Sequence, residues 1–208
     1  MPHTDTWLPL FPLKTVLFPD GVLPLKVFET RYIDMVRDCM KRDMAFGVVL
    51  IKSGTEVGAA AEPEQVGCLA RIVEWDMQDL GVMMLRTHGG ERFRIGQTRV
   101  LPDQRLEAQV TMLAPDSEAP VSDMHLACAQ TLKLVINDVN TNGRAEMGRE
   151  FVSPFSQPYR LDSAGWVANR WCEILPIPLK ARQALLELDD PQNRLSLVFQ
   201  YLQQHQIL

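Results

Sequence analysis

The side chains able to do chemistry in this sequence are few and scattered. Four histidines, His3, His88, His125 and His205, fall in a tail, a turn, the start of a helical pattern and a terminus. Nucleophilic catalysis needs Ser, Cys or Thr beside such a base, and no recognisable constellation forms. Cys128, three residues after His125 on an expected helix, has a spacing that permits contact. A buried small hydrophobe beside a surface histidine gives the same spacing and is the commoner arrangement. The four cysteines, Cys39, Cys68, Cys128 and Cys172, stand 29, 60 and 44 residues apart. No pair has the close spacing of a zinc knuckle or redox motif, so they read as buried thiols in a reducing cytoplasm, with no metal and no cofactor. The acid pairs Asp76 with Asp79 and Asp189 with Asp190 suit turns and helix caps. Gly89-Gly90 with Gly96 lacks the G-x-x-x-x-G-K-[ST] pattern of a phosphate loop and reads as a hairpin turn.

Binding is the chemistry left to consider. Arg71, Arg86, Arg92, Arg94 and Arg99 could form a basic face able to hold RNA. The formal net charge of −5 gives no bulk basic field, and no exposed-looking aromatic stands among these arginines to stack on a base, so nucleic acid is the alternative rather than the main expectation. Trp166, Arg170 and Glu173 share one helical face, which a cation–π contact and an ion pair explain. The segment "TNGRAEMGREFVSPFSQPYR" (141–160) carries Met147, Phe151, Phe155 and Tyr159. Its aromatic residues recur every fourth position like a helical stripe, but Pro154 and Pro158 would break that helix, so a long loop is expected.

The elements that would position these residues follow from periodicity. With 208 residues, 46% hydrophobic and 23% charged, the chain can bury about 70% of its unfolded surface, as one large domain or two small ones. No stretch approaches the roughly 20 apolar residues of a membrane-spanning helix, and the N-terminus lacks a secretory pattern, so a cytoplasmic protein is expected. Strand-like runs occupy 8–13, 22–28, 46–51, 67–75, 81–87, 92–97 and 106–113. One helix interrupts them, starting near Thr30 as its cap and marked by Tyr32, Met35, Val36, Cys39 and Met40. Pro9, Pro12 and Pro24 lie inside the first two runs, which excludes the centre of a flat, regularly paired sheet. "APDSEAPVSD" (114–123) has the composition of a linker. Helical periods follow at 124–140, at 163–175 behind Asp162, and around Leu195, Val198, Phe199 and Leu202 behind the cap pair Asp190-Pro191. The organisation expected is therefore α+β: a β subdomain over 1–113, a linker over 114–123 and a helical subdomain over 124–208.

The stretch "LPLFPLKTVLFPDGVLPLKVFETRY", with "VGCLARIVEW", "GGERFRIG" and "WVANRWCEILPIPLKARQALLELDDPQNRLSLV", resembles the N-terminal domain of the Lon protease family in a stand-alone form. The resemblance covers nearly the whole chain. It implies a PUA-like β pseudobarrel, whose bends and bulges accommodate prolines, followed by a helical bundle. It also implies recognition of protein substrates, with Met147, Phe151, Phe155 and Tyr159 as the expected contact residues on the loop 141–160. Lon proteases continue into an ATPase domain and a Ser/Lys peptidase domain, and neither signature occurs in these residues. The expectation is a non-enzymatic module that binds a client polypeptide or protein partner.

Overall fold

The computed structural model describes residues 7–79 and 81–208. The chain is mixed α+β and divides into two compact units, residues 1–115 and 116–208. The first unit holds β1 (Leu8–Leu13), β2 (Val22–Val27), α1 (Thr30–Lys41), β3 (Phe46–Ser53), β4 (Glu62–Asp79), β5 (Val82–Val100) and β6 (Leu106–Met112). The strand order is β2-β5-β4-β3-β1-β6, and β5 also pairs with β6, so that β5, β4, β3, β1 and β6 form a closed ring of pairings.

Each proline of β1 and β2 sits where its residue pairs on one side only. Pro9 lies opposite Glu107 of β6, one residue before β1 begins to pair with β3. Pro12 lies opposite Val49 of β3, beyond the last β1–β6 pair at Leu10. Pro24 is exposed on β2, which ends the strand order. A missing N–H on a strand with one free side leaves no partner unbonded.

The expected hairpin turn at Gly89-Gly90 does not exist: both glycines lie within β5, which joins the two strands expected at 81–87 and 92–97. Gly89 serves close approach instead. The turn at Asp20-Gly21 packs on its backbone, with the Asp20 N–H donating to the Gly89 carbonyl at 2.9 Å and the Gly89 N–H to the Gly21 carbonyl at 2.8 Å. A Cβ on Gly89 would lie 2.1 Å from the Phe18 carbonyl oxygen.

Two apolar clusters hold this unit. In one, Tyr32, Met35, Val36 and Cys39 of α1 pack on Phe11, Leu25, Phe46 and Leu85 of the strands. Glu29 stands at the N-cap position of α1 and makes no side-chain cap bond, so Thr30 is the first helical residue rather than the cap. The other cluster gathers Leu10, Val49, Phe93, Ile95, Leu106 and Ala108, all from strands of the ring. Gly47 and Gly67 make room for its aromatic member, since a Cβ on either would lie 2.6 Å from Phe93 Cζ.

The second unit contains a 3-10 turn (Asp123–His125), α2 (Leu126–Met147), a second 3-10 turn (Gly148–Glu150), α3 (Ala164–Ile174), α4 (Leu179–Glu187) and α5 (Pro191–Gln204). The segment 114–123, expected as a linker, is built into this unit from Asp116 onward. The Val121 N–H donates to the Asp162 carbonyl at 2.8 Å and the Ala164 N–H to the Ala119 carbonyl at 2.9 Å. Ser163, not Asp162, caps α3 through the Trp166 N–H, whereas Asp190 caps α5 with Pro191 in its first turn, as the sequence indicates.

Gly89→Ala should destabilise the protein by roughly 2 kcal/mol or more, because the obstruction is backbone that no rotamer change can move. Urea unfolding followed by circular dichroism measures this; an unchanged midpoint would contradict the packing described.

Candidate functional site

The loop expected at 141–160 is shorter than the sequence suggests, because α2 runs on to Met147. Near its end Gly143 admits the Phe151 ring, which folds back so closely that a Cβ there would lie 2.0 Å from Phe151 Cε2. Phe155 is buried at 4% exposure. Tyr159 is half-buried, accepting from Asn140 Nδ2 at 3.1 Å with its ring 6.1 Å from that of Trp166. Of the four expected contact residues, Met147 alone is largely exposed, at 55%. Phe151, Phe155 and Tyr159 are mainly spent on packing.

The five arginines do not form a common open face. Arg92 is 3% exposed and donates to the Ala114 carbonyl. Arg86 reaches Glu74 at 3.1 Å, Arg99 reaches Glu107 at 2.6 Å and lies over the Trp7 ring, and Arg71 approaches Asp43 at 3.8 Å. Arg94 is exposed. With three of the five facing carboxylates, little positive field is left for phosphates.

The reactive side chains are equally occupied. Burial holds the Cys39 and Cys128 thiols up at about 11 and Cys172 at about 12, so none offers a thiolate near neutrality. His125 turns toward the Ser122 and Ser196 hydroxyls, at 3.0 and 3.3 Å, and meets the Phe199 ring edge-on. It links the first 3-10 turn to α5. Arg170 lies over Trp166 and reaches Glu173 at 2.8 Å, as their spacing suggests. Among the described residues, no group of three or more His, Cys, Asp and Glu could hold a metal.

What the second unit does present is an apolar groove of about 340 Å³. One wall is α4, whose Ala181, Ala184 and Leu185 form a stripe at i, i+3 and i+4 that Leu188 extends just past the helix end. The facing wall is α5, through Leu197, Val198 and Tyr201, and Leu175 and Ile177 close one end. Leu197 stands at 48% exposure beside the other apolar side chains of this lining, so the exposed apolar surface is contiguous. The sequence reading missed α4 altogether. The signal was available in Pro178 followed by Leu179, Gln183 and Leu186 at helical spacing, of which Gln183 and Leu186 are buried.

The groove is held open by arginines bonded to helix-end carbonyls. Arg194, 1% exposed, donates from Nε to the Leu185 carbonyl at 2.9 Å and from Nη2 to the Leu188 carbonyl, which satisfies the C-terminal end of α4. Its remaining donors take both Asp116 oxygens, at 2.6 and 3.1 Å, and Asn169 Oδ1 at 2.9 Å. All five N–H groups of the guanidinium are thereby used. At the other end Arg182 Nη2 donates to the Leu175 carbonyl at 2.9 Å. A second apolar surface lies on the first unit, where Val73, Trp75 and Met77 are 51%, 55% and 38% exposed on β4.

Arg194→Leu should cost about 3–5 kcal/mol, because it strands the Asp116 carboxylate and two helix-end carbonyls together. Thermal unfolding checks the loss, and retention of wild-type stability would refute the hub. His125 supplies a pH test. Burial lowers its pKa from 6.5, so the unfolded chain takes up the proton first; stability is full above about pH 6.5 and falls as the pH drops toward the folded pKa. His125→Gln should flatten that decline between about pH 6.5 and pH 5 in urea titrations; an unaltered slope would assign it to other groups.

Comparison with known proteins gives this arrangement a family. The model of the ATP-dependent protease La (LON) substrate-binding domain matches residues 7–204. Lon protease 2 of Myxococcus xanthus is 27% identical over 94% of this chain, and Lon protease of Anaeromyxobacter dehalogenans is likewise 27% identical over 94%. The chain spans 23% of the length of each of these relatives. Among solved structures, a Lon N-terminal domain protein from Xanthomonas campestris is 34% identical with a TM-score of 0.73, over 94% of this chain and 98% of that one. The N-terminal domain of Mycobacterium avium complex Lon protease shares the fold, with a TM-score of 0.64 at 18% identity over 96% of this chain and all of that one. The chain belongs to the LON substrate-binding domain family.

Proposed function

We propose that this chain binds apolar segments of client polypeptides, without chemistry of its own, and that the α4/α5 groove is the seat. The observation that carries this reading is a groove lined by aliphatic side chains and one tyrosine, with Leu197 at 48% exposure on its rim. Apolar surface of this kind, concave and fixed by the helix-end bonds of Arg182 and Arg194, is what a hydrophobic anchor residue fills. The family description, a substrate-binding domain, supports protein as the ligand class. Buried free thiols support a reducing, cytoplasmic setting. The closed ring of strands supports reading the first unit as a PUA-like pseudobarrel, and the four α-helices of the second support reading it as a helical bundle.

The test is capture of a fluorescently labelled, permanently unfolded protein, followed by anisotropy. Leu197→Asp should weaken capture at least about tenfold while leaving the unfolding temperature unchanged, since the residue is half in water already. Paired Arg94→Ala and Arg99→Ala changes should leave capture intact. A rise in salt from about 50 to about 200 mM should alter it little, where contacts to several phosphates would weaken by orders of magnitude. Loss of binding in the arginine variant together with collapse in salt would favour the RNA alternative. The purified protein should neither hydrolyse ATP nor cleave the client.

A further inference from the structure

We infer that the segment seated in the α4/α5 groove is an amphipathic helix of the client, lying parallel to α4; the inference rests on the groove being the binding seat. The first argument is hydrogen bonding. Both long walls are helices whose inner N–H and C=O groups are used within the helix, and three helix-end carbonyls that border the groove are already taken. Leu185 and Leu188 give theirs to Arg194, and Leu175 gives its own to Arg182. An extended segment would bring unpaired backbone groups against a lining in which Tyr201 alone carries a polar side-chain group. A helix arrives with its backbone satisfied.

The second argument is shape. The stripe at 181, 184, 185 and 188 opens with two alanines, so an incoming helix can approach α4 closely while its own side chains pass between α4 and α5. The nine residues of α4 extend about 13 Å, which matches about two and a half turns of a partner helix.

Charge sets the direction. Lys180 and Arg182 stand at the N-terminal end of α4, and Glu187, Asp189 and Asp190 at its C-terminal end. Lys180, Glu187, Asp189 and Asp190 are exposed; Glu187 also accepts from Gln183, and Asp190 also caps α5. Helices favour acidic residues in the first turn and basic residues in the last. A client helix with that ordinary polarity meets complementary charge at both ends only when its N-terminus lies at the Lys180 end, parallel to α4.

The experiment uses the full chain and three synthetic peptides of about 14 residues, long enough for partial helicity in water. One has a leucine stripe with Glu in its first turn and Lys in its last; a second has the same composition with a central proline; a third exchanges the terminal charges. The first should bind with a gain of helical signal in circular dichroism, and the proline peptide at least about tenfold more weakly. The charge-exchanged peptide should bind about threefold more weakly at low salt. The double variant Lys180→Glu with Glu187→Lys, both exposed positions, should reverse the preference between the first and third peptides. Equal binding of the proline peptide, or binding without added helicity, would overturn the helical occupant and leave the groove's role standing. Failure of every peptide to bind, with unfolded-client capture insensitive to Leu197→Asp, would overturn both. Self-association abolished by Leu197→Asp would assign the groove to a second copy of the chain and overturn the inference.

Discussion

The geometry of the helical unit depends on one buried cation. Arg194 is surrounded by five acceptors from four places in the sequence: Asp116 before the helices, Asn169 in α3, and the Leu185 and Leu188 carbonyls at the end of α4. A guanidinium withdrawn from water is tolerable only when every N–H is bonded and its charge is matched. The requirement works in both directions. It fixes Asp116 against α3, where Gly165 leaves space because a Cβ would lie 2.8 Å from Asp116 Oδ2. It also fixes where α4 stops relative to α5, and with it the opening of the groove.

The strand unit is organised by a packing constraint in place of an ionic one. Phe93 sits among ring strands at no measurable exposure, with two glycines where their side chains would strike it. The same economy recurs at Gly89, which admits the Asp20-Gly21 turn, and at Gly143, which admits Phe151. In each case an absent side chain lets a distant part of the chain approach. No local pattern announces this, because the demand comes from the residue that fills the space.

That distinction explains what could be read from the sequence. The strand runs, the first helix and the Asp190-Pro191 cap rest on periodicity or local backbone chemistry and are visible within a window of a few residues, while the family resemblance rests on the order of several such segments along nearly the whole chain. The fusion of two strands through Gly89-Gly90 was hidden because a Gly-Gly pair signals a turn unless another backbone needs the space. The stripe at Phe151, Phe155 and Tyr159 has real meaning, but as packing: Gly143, Asn140 and the Trp166 ring are its partners. The groove was hidden for a different reason. Its α5 wall uses Leu197 and Tyr201, next to the core residues Val198 and Leu202, so the apolar arc is wider than a helix needs to bury one face. Width in excess of the core requirement was the legible clue.

The two exposed apolar surfaces differ in what they can satisfy. Among the described residues, β4 beyond Ala70 pairs with β5 alone, so Val73, Trp75 and Met77 lie on a strand with backbone groups facing outward. Such an edge is completed by an extended chain. The α4/α5 groove presents two helix walls, whose backbone groups are bonded within the helices, and so offers chiefly side chains. Ala181 and Ala184 add to its openness, because larger residues at these stripe positions would fill space from within. Small residues at the start of an apolar stripe therefore leave the second unit with contiguous exposed hydrophobic surface.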